Sequence, residues 1–433
     1  MKSISKRSLN INRKKPMILS PRGVEDILPA KTSQYQWIEK EASFLFSLYG
    51  YEEIRIPTFE RTELFSRSVG EETDVGKQMY TFLDKKGRSL TLRPEATASV
   101  VRAYLQHKVY AQPGEWKVYY MGPMFRYERP QAARMREFRQ IGAEVIGEVN
   151  PYLDVELIEM GAQFFKKVGV TDFSIQLNSI GCKKCRVPYE IKLTEYLKNN
   201  LGSLCSLCQK RSQYNPLRVL DCKRKSCQSI LRKAPLTREY LCEDCGSHFK
   251  KVKMGLEDIG LKFELNPRLV RGLDYYTRTV FEFVSSLLGA QDTVCAGGRY
   301  DELVQELGGP PTPALGFAIG VERLLAILEK KGIEPPSKGS SLIYIATLDE
   351  ESQIMGYRIA ALFRSQGIRS WLNLSERSLS SQLKVAHKGE IRWVMIIGEK
   401  EIKEKKFILR DMQSGEQEGI EWDRLKELGK KLK

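Results

Sequence analysis

Histidine is scarce in this chain: three of 433 residues, His107, His248 and His387. None sits beside an obvious nucleophile, which argues against histidine-based hydrolysis. No apolar run approaches the ~20 residues a membrane-crossing helix needs, so no membrane partner is expected. The Walker phosphate loop and the Rossmann glycine fingerprint are both missing, so a bound nucleotide must be held mainly by side chains. The first 20 residues have no apolar signal core and no small-residue cleavage site, so a cytoplasmic location is expected. Disulfides are then disfavoured. No internal repeat or low-complexity tract is present. What is there is an ordinary globular composition, 42% hydrophobic and 29% charged, long enough for two or three domains.

The net charge is +16, and it is concentrated. Residues 1–20 hold six basic side chains and no acid; residues 181–255 hold 17 basic and 6 acidic ones, leaving the rest near neutral at −1. A neutral body with a basic tail and a basic module suits a polyanion, because clustered Lys and Arg release counterions from phosphates. A solvated basic surface is the other reading.

Eight of the nine cysteines lie in that same basic module. They form four pairs: Cys182 with Cys185, Cys205 with Cys208, Cys222 with Cys227, and Cys242 with Cys245. Three pairs have C-x-x-C spacing, which lets two thiolates of one turn face a single tetrahedral ion. One or two structural Zn²⁺ ions are the metal reading, and reduced thiols without metal the alternative. Two filled sites would lower the local charge from +11 to about +7, still basic. Cys295 stands apart in an apolar setting and reads as simply buried.

Apolar spacing predicts a helix over 31–49, ended by Gly50, then a strand over 51–58 placed at a sheet edge by Pro57. A strand and turn at 90–97 lead into an alanine-rich helix. Strands are predicted at 116–127, 135–146 and 268–284, with a hairpin loop (RPQAA) between the first two. Gly316–Gly320 leads into a helix over 321–331. The Pro, Gly and Ser cluster at 332–341 reads as a linker. Beyond it, strand and helix alternate, predicting a small α/β domain with a mostly parallel sheet.

Three places stand out chemically. Period-2 alternation puts Arg126 and Glu128 on one face, and Arg134, Arg136, Phe138, Gln140, Gly142 and Glu144 on one face of the next strand. Cations, an aromatic ring, an amide and a carboxylate together suit a ligand with a planar ring and phosphates; an exposed face with cross-strand ion pairs is the alternative. In Arg271-Gly272-Leu273-Asp274-Tyr275-Tyr276, the permanently charged Arg271 can stabilise charge at phosphorus without proton transfer; otherwise it is a surface loop. Arg323 falls in the first turn of a helix, where the macrodipole disfavours a cation. An anionic ligand resolves that conflict, and so would an acid such as Glu322.

These residues carry a resemblance. From about residue 21 onward the chain is similar to histidyl-tRNA synthetases, a family of class II aminoacyl-tRNA synthetases. The first class motif is the helix and strand leading to Pro57, the second is FRYERPQAARMREFRQIGAEVIG at 125–147, and the third is GFAIGVERL at 316–324. RGLDYYTRTVFEF at 271–283 and CAGGRYDELV at 295–304 resemble stretches particular to the histidine enzymes.

The resemblance implies an α+β fold with an antiparallel catalytic sheet flanked by helices. It implies catalytic parts at 21–180 and 256–331, separated by the Cys-rich insertion at 181–255, and an anticodon-binding domain at 342–433. It implies a homodimer and the substrates ATP (with Mg²⁺), L-histidine and tRNA(His). Histidine would attack the ATP α-phosphate, and histidyl-adenylate would then pass the amino acid to the tRNA 3′ end. Arg126 would hold the α-phosphate and orient the histidine carboxylate. Arg134 would reach the outer phosphates, Phe138 would stack on adenine, and Arg323 would clamp the γ-phosphate. Arg271 would sit at the α-phosphate, where other class members lean on a metal. Glu95, Ala96 and Thr97 would face the amino group; Gln140, Glu144, Tyr275 and Tyr276 would line the histidine pocket. The alternatives are a non-catalytic regulatory subunit of ATP phosphoribosyltransferase and a sensor of uncharged tRNA. The basic tail at 1–20 is read as disordered, adding nonspecific tRNA affinity, or as mimicking a transit peptide.

Overall fold

The computed structural model describes residues 17–70, 73–129, 134–289, 292–336, 342–375, 377–425 and 427–428. The hairpin loop at 130–133, most of the basic tail and residues 337–341 of the linker lie outside these. The chain divides into two compact units, one up to Pro335 and one from Pro336.

In the first unit a helix over Pro29–Leu48 starts with proline in its first turn and buries Tyr35, Ile38, Ala42, Leu45 and Phe46. Pro suits that position because its missing N–H has no helical partner there. Gly50 follows at φ +79° and turns the chain away. The predicted strand over 51–58 shrinks to β1 (Glu52–Glu53). A small sheet follows, of β2 (Phe59–Arg61), β3 (Tyr80–Leu83) and β4 (Ser89–Leu92), in the order β2-β4-β3.

The main sheet adds β5 (Trp116–Phe125), β6 (Glu137–Ile146), β7 (Ser174–Ser179), β8 (Glu264–Leu265), β9 (Thr277–Val284), β10 (Thr293–Arg299) and β11 (Ala314–Gly320). Its order is β1-β5-β6-β11-β10-β9-β7-β8. The six central strands pair antiparallel throughout, and the two short edge strands pair parallel. The antiparallel catalytic sheet expected from the sequence is thus present. The strand predicted over 268–284 begins only at Thr277; the residues before it form an irregular segment that proves to be part of the site.

One sheet face packs on the first helix and on a helix over Pro151–Lys167, through Phe46, Phe164, Phe165, Phe283 and Phe317. The other face shares a core with the Cys-rich insertion, joining Tyr120, Val280 and Tyr300 to Tyr189, Leu193 and Val219. Two apolar faces therefore commit the sheet to be covered on both sides. A buried ion cluster ties the layers together. Arg299, fully buried, bonds Asp154 at 2.7 Å, and Asp154 meets His248 at 3.2 Å. Burial alone would raise the Asp154 pKa, but Arg299 and His248 reverse it to a net lowering.

The second unit carries one sheet of β12 (Ile343–Thr347), β13 (Ser370–Leu372), β14 (Trp393–Ile397), β15 (Lys406–Asp411) and β16 (Gln417–Glu421), in the order β13-β12-β14-β15-β16. Helices over Glu350–Ser365 and Leu379–Lys388 connect the first three strands. The mostly parallel sheet expected is corrected here. Two pairings are parallel and two antiparallel, because β14, β15 and β16 form a meander that the strand–helix alternation did not announce. Apolar residues on both faces of β12 and β14 are buried, which explains their near-continuous hydrophobic runs.

Candidate active site and cysteine clusters

A cleft of about 470 Å³ opens against β6, β10 and β11, walled on one side by the irregular segment at 270–276. Arg126, Arg271 and Arg323, far apart in sequence, all line it. Arg126 follows β5; its Nε donates to the Pro94 carbonyl at 2.8 Å, and its guanidinium lies 5.1 Å from the centre of the Phe138 ring. Arg271 pairs with Glu282 and lies over the Tyr276 ring. Arg323 stands in the first turn of the helix over Val321–Lys330 and donates to the Thr293 carbonyl. Burial lowers the pKa of Arg126 and of Arg323, with Arg134 adding like-charge repulsion on Arg323. A cleft crowded with partly buried cations favours an anionic ligand.

Glu322, next to Arg323, accepts the Arg139 backbone N–H at 2.9 and 3.0 Å. Arg134 bonds Glu128 at 3.2 Å, and both line the cleft with Phe138 and Gln140. Arg136 departs from the predicted face: its guanidinium sits 4.1 Å from the centre of the Tyr127 ring. Arg136 stands in a bend just before β6, outside the pleat, whereas Arg134 makes a bridge and keeps the predicted place in the cleft.

Glu95 and Thr97 line the cleft at the start of the helix over Thr97–Gln106. Glu95 accepts the backbone N–H groups of Thr97 and Ala98 at 2.6 and 3.0 Å, spending its carboxylate on the helix terminus. Ala96 is fully buried behind the wall. Glu144, only 1% exposed, also lies behind it, holding Thr97 and Tyr300 hydroxyls at 2.8 and 2.5 Å. Burial pushes its pKa up to about 8, against the downward pull of those hydrogen bonds. Gly316 makes the room: a Cβ there would fall 1.5 Å from a Glu144 oxygen. Tyr275 and Tyr276 both line the cleft, their rings 4.8 Å apart. Among the described residues, two buried polar atoms of this wall have no partner, Gln140 Oε1 and Arg271 Nε. Such orphans are costly unless a ligand completes them.

Five residues were not assigned to this site from the sequence. Glu282, the partner of Arg271, was signalled only as a lone acid between Phe281 and Phe283. Tyr300 and Tyr120 sit among apolar strand residues that look like plain core. Asp221 and Lys223 of the insertion also reach the cleft wall.

The eight clustered cysteines gather into two nested sets. Cys182, Cys185, Cys242 and Cys245 form one; Cys205, Cys208, Cys222 and Cys227 form the other. Cys182, Cys205 and Cys242 each stand just before a helix, at the N-cap position, so the residue three later lies on the first turn facing the same way. Sulfur separations of 3.6, 3.9 and 4.0 Å match the ~3.8 Å edge of a tetrahedron with ~2.3 Å metal–sulfur bonds. The Cys245 backbone N–H draws the Cys242 thiol down to about 7. Each set fits one four-coordinate metal ion.

Comparisons with known proteins agree with this geometry. The family model for histidyl-tRNA synthetases matches residues 23–324, and that for anticodon-binding domains matches 342–432. Histidine–tRNA ligases of Natranaerobius thermophilus and Halothermothrix orenii are both 46% identical, covering 92% of this chain and 95% and 96% of theirs. The crystal structure of apo S. aureus histidyl-tRNA synthetase superposes with a TM-score of 0.81 at 36% identity, over 96% of this chain and all of that one. A Bacillus halodurans chain described as an ATP phosphoribosyltransferase regulatory subunit/histidyl-tRNA synthetase, 22% identical with a TM-score of 0.65 over 89% of this chain and 99% of that one, shares the fold alone. With both its catalytic and its anticodon-binding regions matched, this chain belongs to the histidyl-tRNA synthetase family.

Proposed function

We propose that the protein is a histidine–tRNA ligase. The observation that carries the reading is the convergence of Arg126, Arg271 and Arg323 on one cleft that also holds the unpartnered Gln140 Oε1. A histidine carboxylate oxygen attacks the α-phosphorus of ATP, the bond to the β-phosphate breaks, and histidyl-adenylate and pyrophosphate form. The terminal ribose hydroxyl of tRNA(His) then attacks the carbonyl and AMP leaves. Arg126 and Arg271 hold the α-phosphate, Arg134 and Arg323 the outer phosphates, and Phe138 stacks on adenine. Glu95 and Thr97 meet the amino group from the edge of the wall that Ala96 backs.

Gln140, Glu144, Tyr275 and Tyr276 line the histidine pocket, and Glu144 accepts an imidazole N–H. A pocket satisfied only by both nitrogens rejects isosteres that lack them. Glu144 reaches the ring by exchanging a hydroxyl partner. ATP would enter as its Mg²⁺ complex, the ion offsetting part of the phosphate charge while the arginines offset the rest.

Each cysteine set holds one structural Zn²⁺, supported by the sulfur spacing. A homodimer is supported by Phe44 and Leu48, left exposed on the first helix. The reduced thiols suit the cytoplasm. The basic insertion contacts the tRNA acceptor arm, and the second unit its anticodon. Purified protein should catalyse ATP–pyrophosphate exchange that depends on L-histidine. Exchange that is absent, or indifferent to the amino acid, overturns the ligase reading and favours the regulatory-subunit or tRNA-sensor alternatives.

A further inference from the structure

The segment carrying Arg271, Tyr275 and Tyr276 is held from outside the catalytic sheet. The Arg218 guanidinium donates to the Gly272 carbonyl. Asn215 Nδ2 donates to Asp274 Oδ1 at 3.0 Å. Asp274 in turn packs against Gly70, where a Cβ would come within 2.8 Å of its carboxylate. Arg186 donates to the Tyr276 carbonyl at 2.9 Å. At the end of the segment, Arg278 and residues 180–181 exchange backbone bonds of 2.9 and 2.8 Å, pinning Arg278 at φ +47°, a conformation L-residues rarely adopt.

Every one of these holding residues except Gly70 belongs to the insertion or its entrance. Asn215 and Arg218 lie between Cys208 and Cys222 of one cysteine set, and Arg186 directly follows Cys185 of the other. The two sets thus brace the segment at separate points. A guanidinium bonded to a carbonyl fixes backbone, so these contacts set where the neighbouring Arg271, Tyr275 and Tyr276 side chains stand. Arg126, Arg134, Phe138 and Arg323 come from the β5–β6 hairpin and the helix over Val321–Lys330, which these contacts do not touch.

We infer that Arg218 and Arg186 are positioning residues for amino-acid activation: the insertion braces the segment that brings Arg271 to the α-phosphate and Tyr275 and Tyr276 to the histidine pocket, and leaves the adenine and outer-phosphate groups to the sheet. The inference rests on the proposed ligase reading. Full-length Arg218→Ala and Arg186→Ala variants are compared with the parent in histidine-dependent exchange, with zinc content and melting temperature measured alongside. The expected signature is a histidine KM raised at least about fivefold with a lower kcat, and an ATP KM within about twofold. Zinc content and melting temperature should stay at the parental values. Arg218→Lys, which still offers one donor to the same carbonyl, should recover most of the loss. A histidine KM within about twofold of the parent in both variants overturns the inference. So does a parallel rise in both KM values together with a lowered melting temperature, which marks general loosening. If Arg218→Ala fails to fold, Arg186→Ala and Asn215→Ala decide by the same thresholds. A parent without histidine-dependent exchange sinks the ligase reading itself, whereas an active parent with unaffected variants sinks only this inference.

Discussion

Arg271→Ala gives the sharpest test of the site. Arg271 and Glu282 form an ion pair whose side chains are 18% and 16% exposed, and Glu282 also accepts the Thr293 hydroxyl at 2.9 Å. Removing the guanidinium does two things. It deletes a donor aimed at charge developing on phosphorus, a loss of about 3–4 kcal/mol, or roughly 10²–10³ in rate. It also leaves the Glu282 carboxylate in the cleft wall facing the incoming phosphates. At a separation of ~5 Å and an effective dielectric near ~20, that repulsion is about 3 kcal/mol. The two losses sum to about 6–7 kcal/mol, so the expected fall in histidine-dependent pyrophosphate exchange is about 10⁴–10⁵. The double variant Arg271→Ala/Glu282→Gln, which removes the stranded charge, should recover about tenfold or more. Histidine binding measured by calorimetry should stay mostly intact. An exchange rate within about threefold of the parent would refute the role assigned to Arg271, and a double variant no faster than the single one would refute the part assigned to Glu282.

Metal analysis of purified protein should find about two Zn per chain, released by chelators with a loss of thermal stability; under about 0.2 per chain removes the zinc proposal. Glu144 adds a pH signature. Its folded pKa of about 8 exceeds the ordinary 4.5, so the folded state keeps a proton that the unfolded chain loses. Stability from this group is thus greatest below about pH 4.5 and declines as pH rises toward 8. Glu144→Gln, neutral at every pH, should gain stability relative to the parent between pH 5 and pH 8 in thermal melts, and a constant difference contradicts the buried, proton-holding carboxyl. Reversing the charge of the exposed Lys223, Arg224 and Lys225 should weaken tRNA binding and flatten its salt dependence, by about one unit of slope per lost phosphate contact. Unchanged aminoacylation kinetics count against an acceptor-arm role for the insertion.

Much of the site was legible because it obeys local rules. Phe138 and Gln140 share a face by strand alternation alone, and Arg323 betrayed itself by standing where a helix repels cations. The same alternation misplaced Arg136, which stands in a bend before β6 with its guanidinium over Tyr127. The mixed sheet of the second unit was missed for a related reason. Whether neighbouring strands run parallel or antiparallel depends on which segments meet, and β15 and β16 meet through a tight turn that alternation of strand and helix did not foresee. Glu282 looked like one acid in an apolar strand until Arg271 arrived opposite it.

The amino-acid order by itself determined the family, the two-region layout, the four cysteine pairs and the individual cations of the site, since each is a matter of residue type at short spacing. Only the tertiary structure decided that the first cysteine pair joins the fourth and the second joins the third, that three distant guanidiniums share one cleft, and that the insertion grips the segment carrying Arg271. Those outcomes depend on which distant segments the two apolar sheet faces bring together, and short spacing carries no record of that.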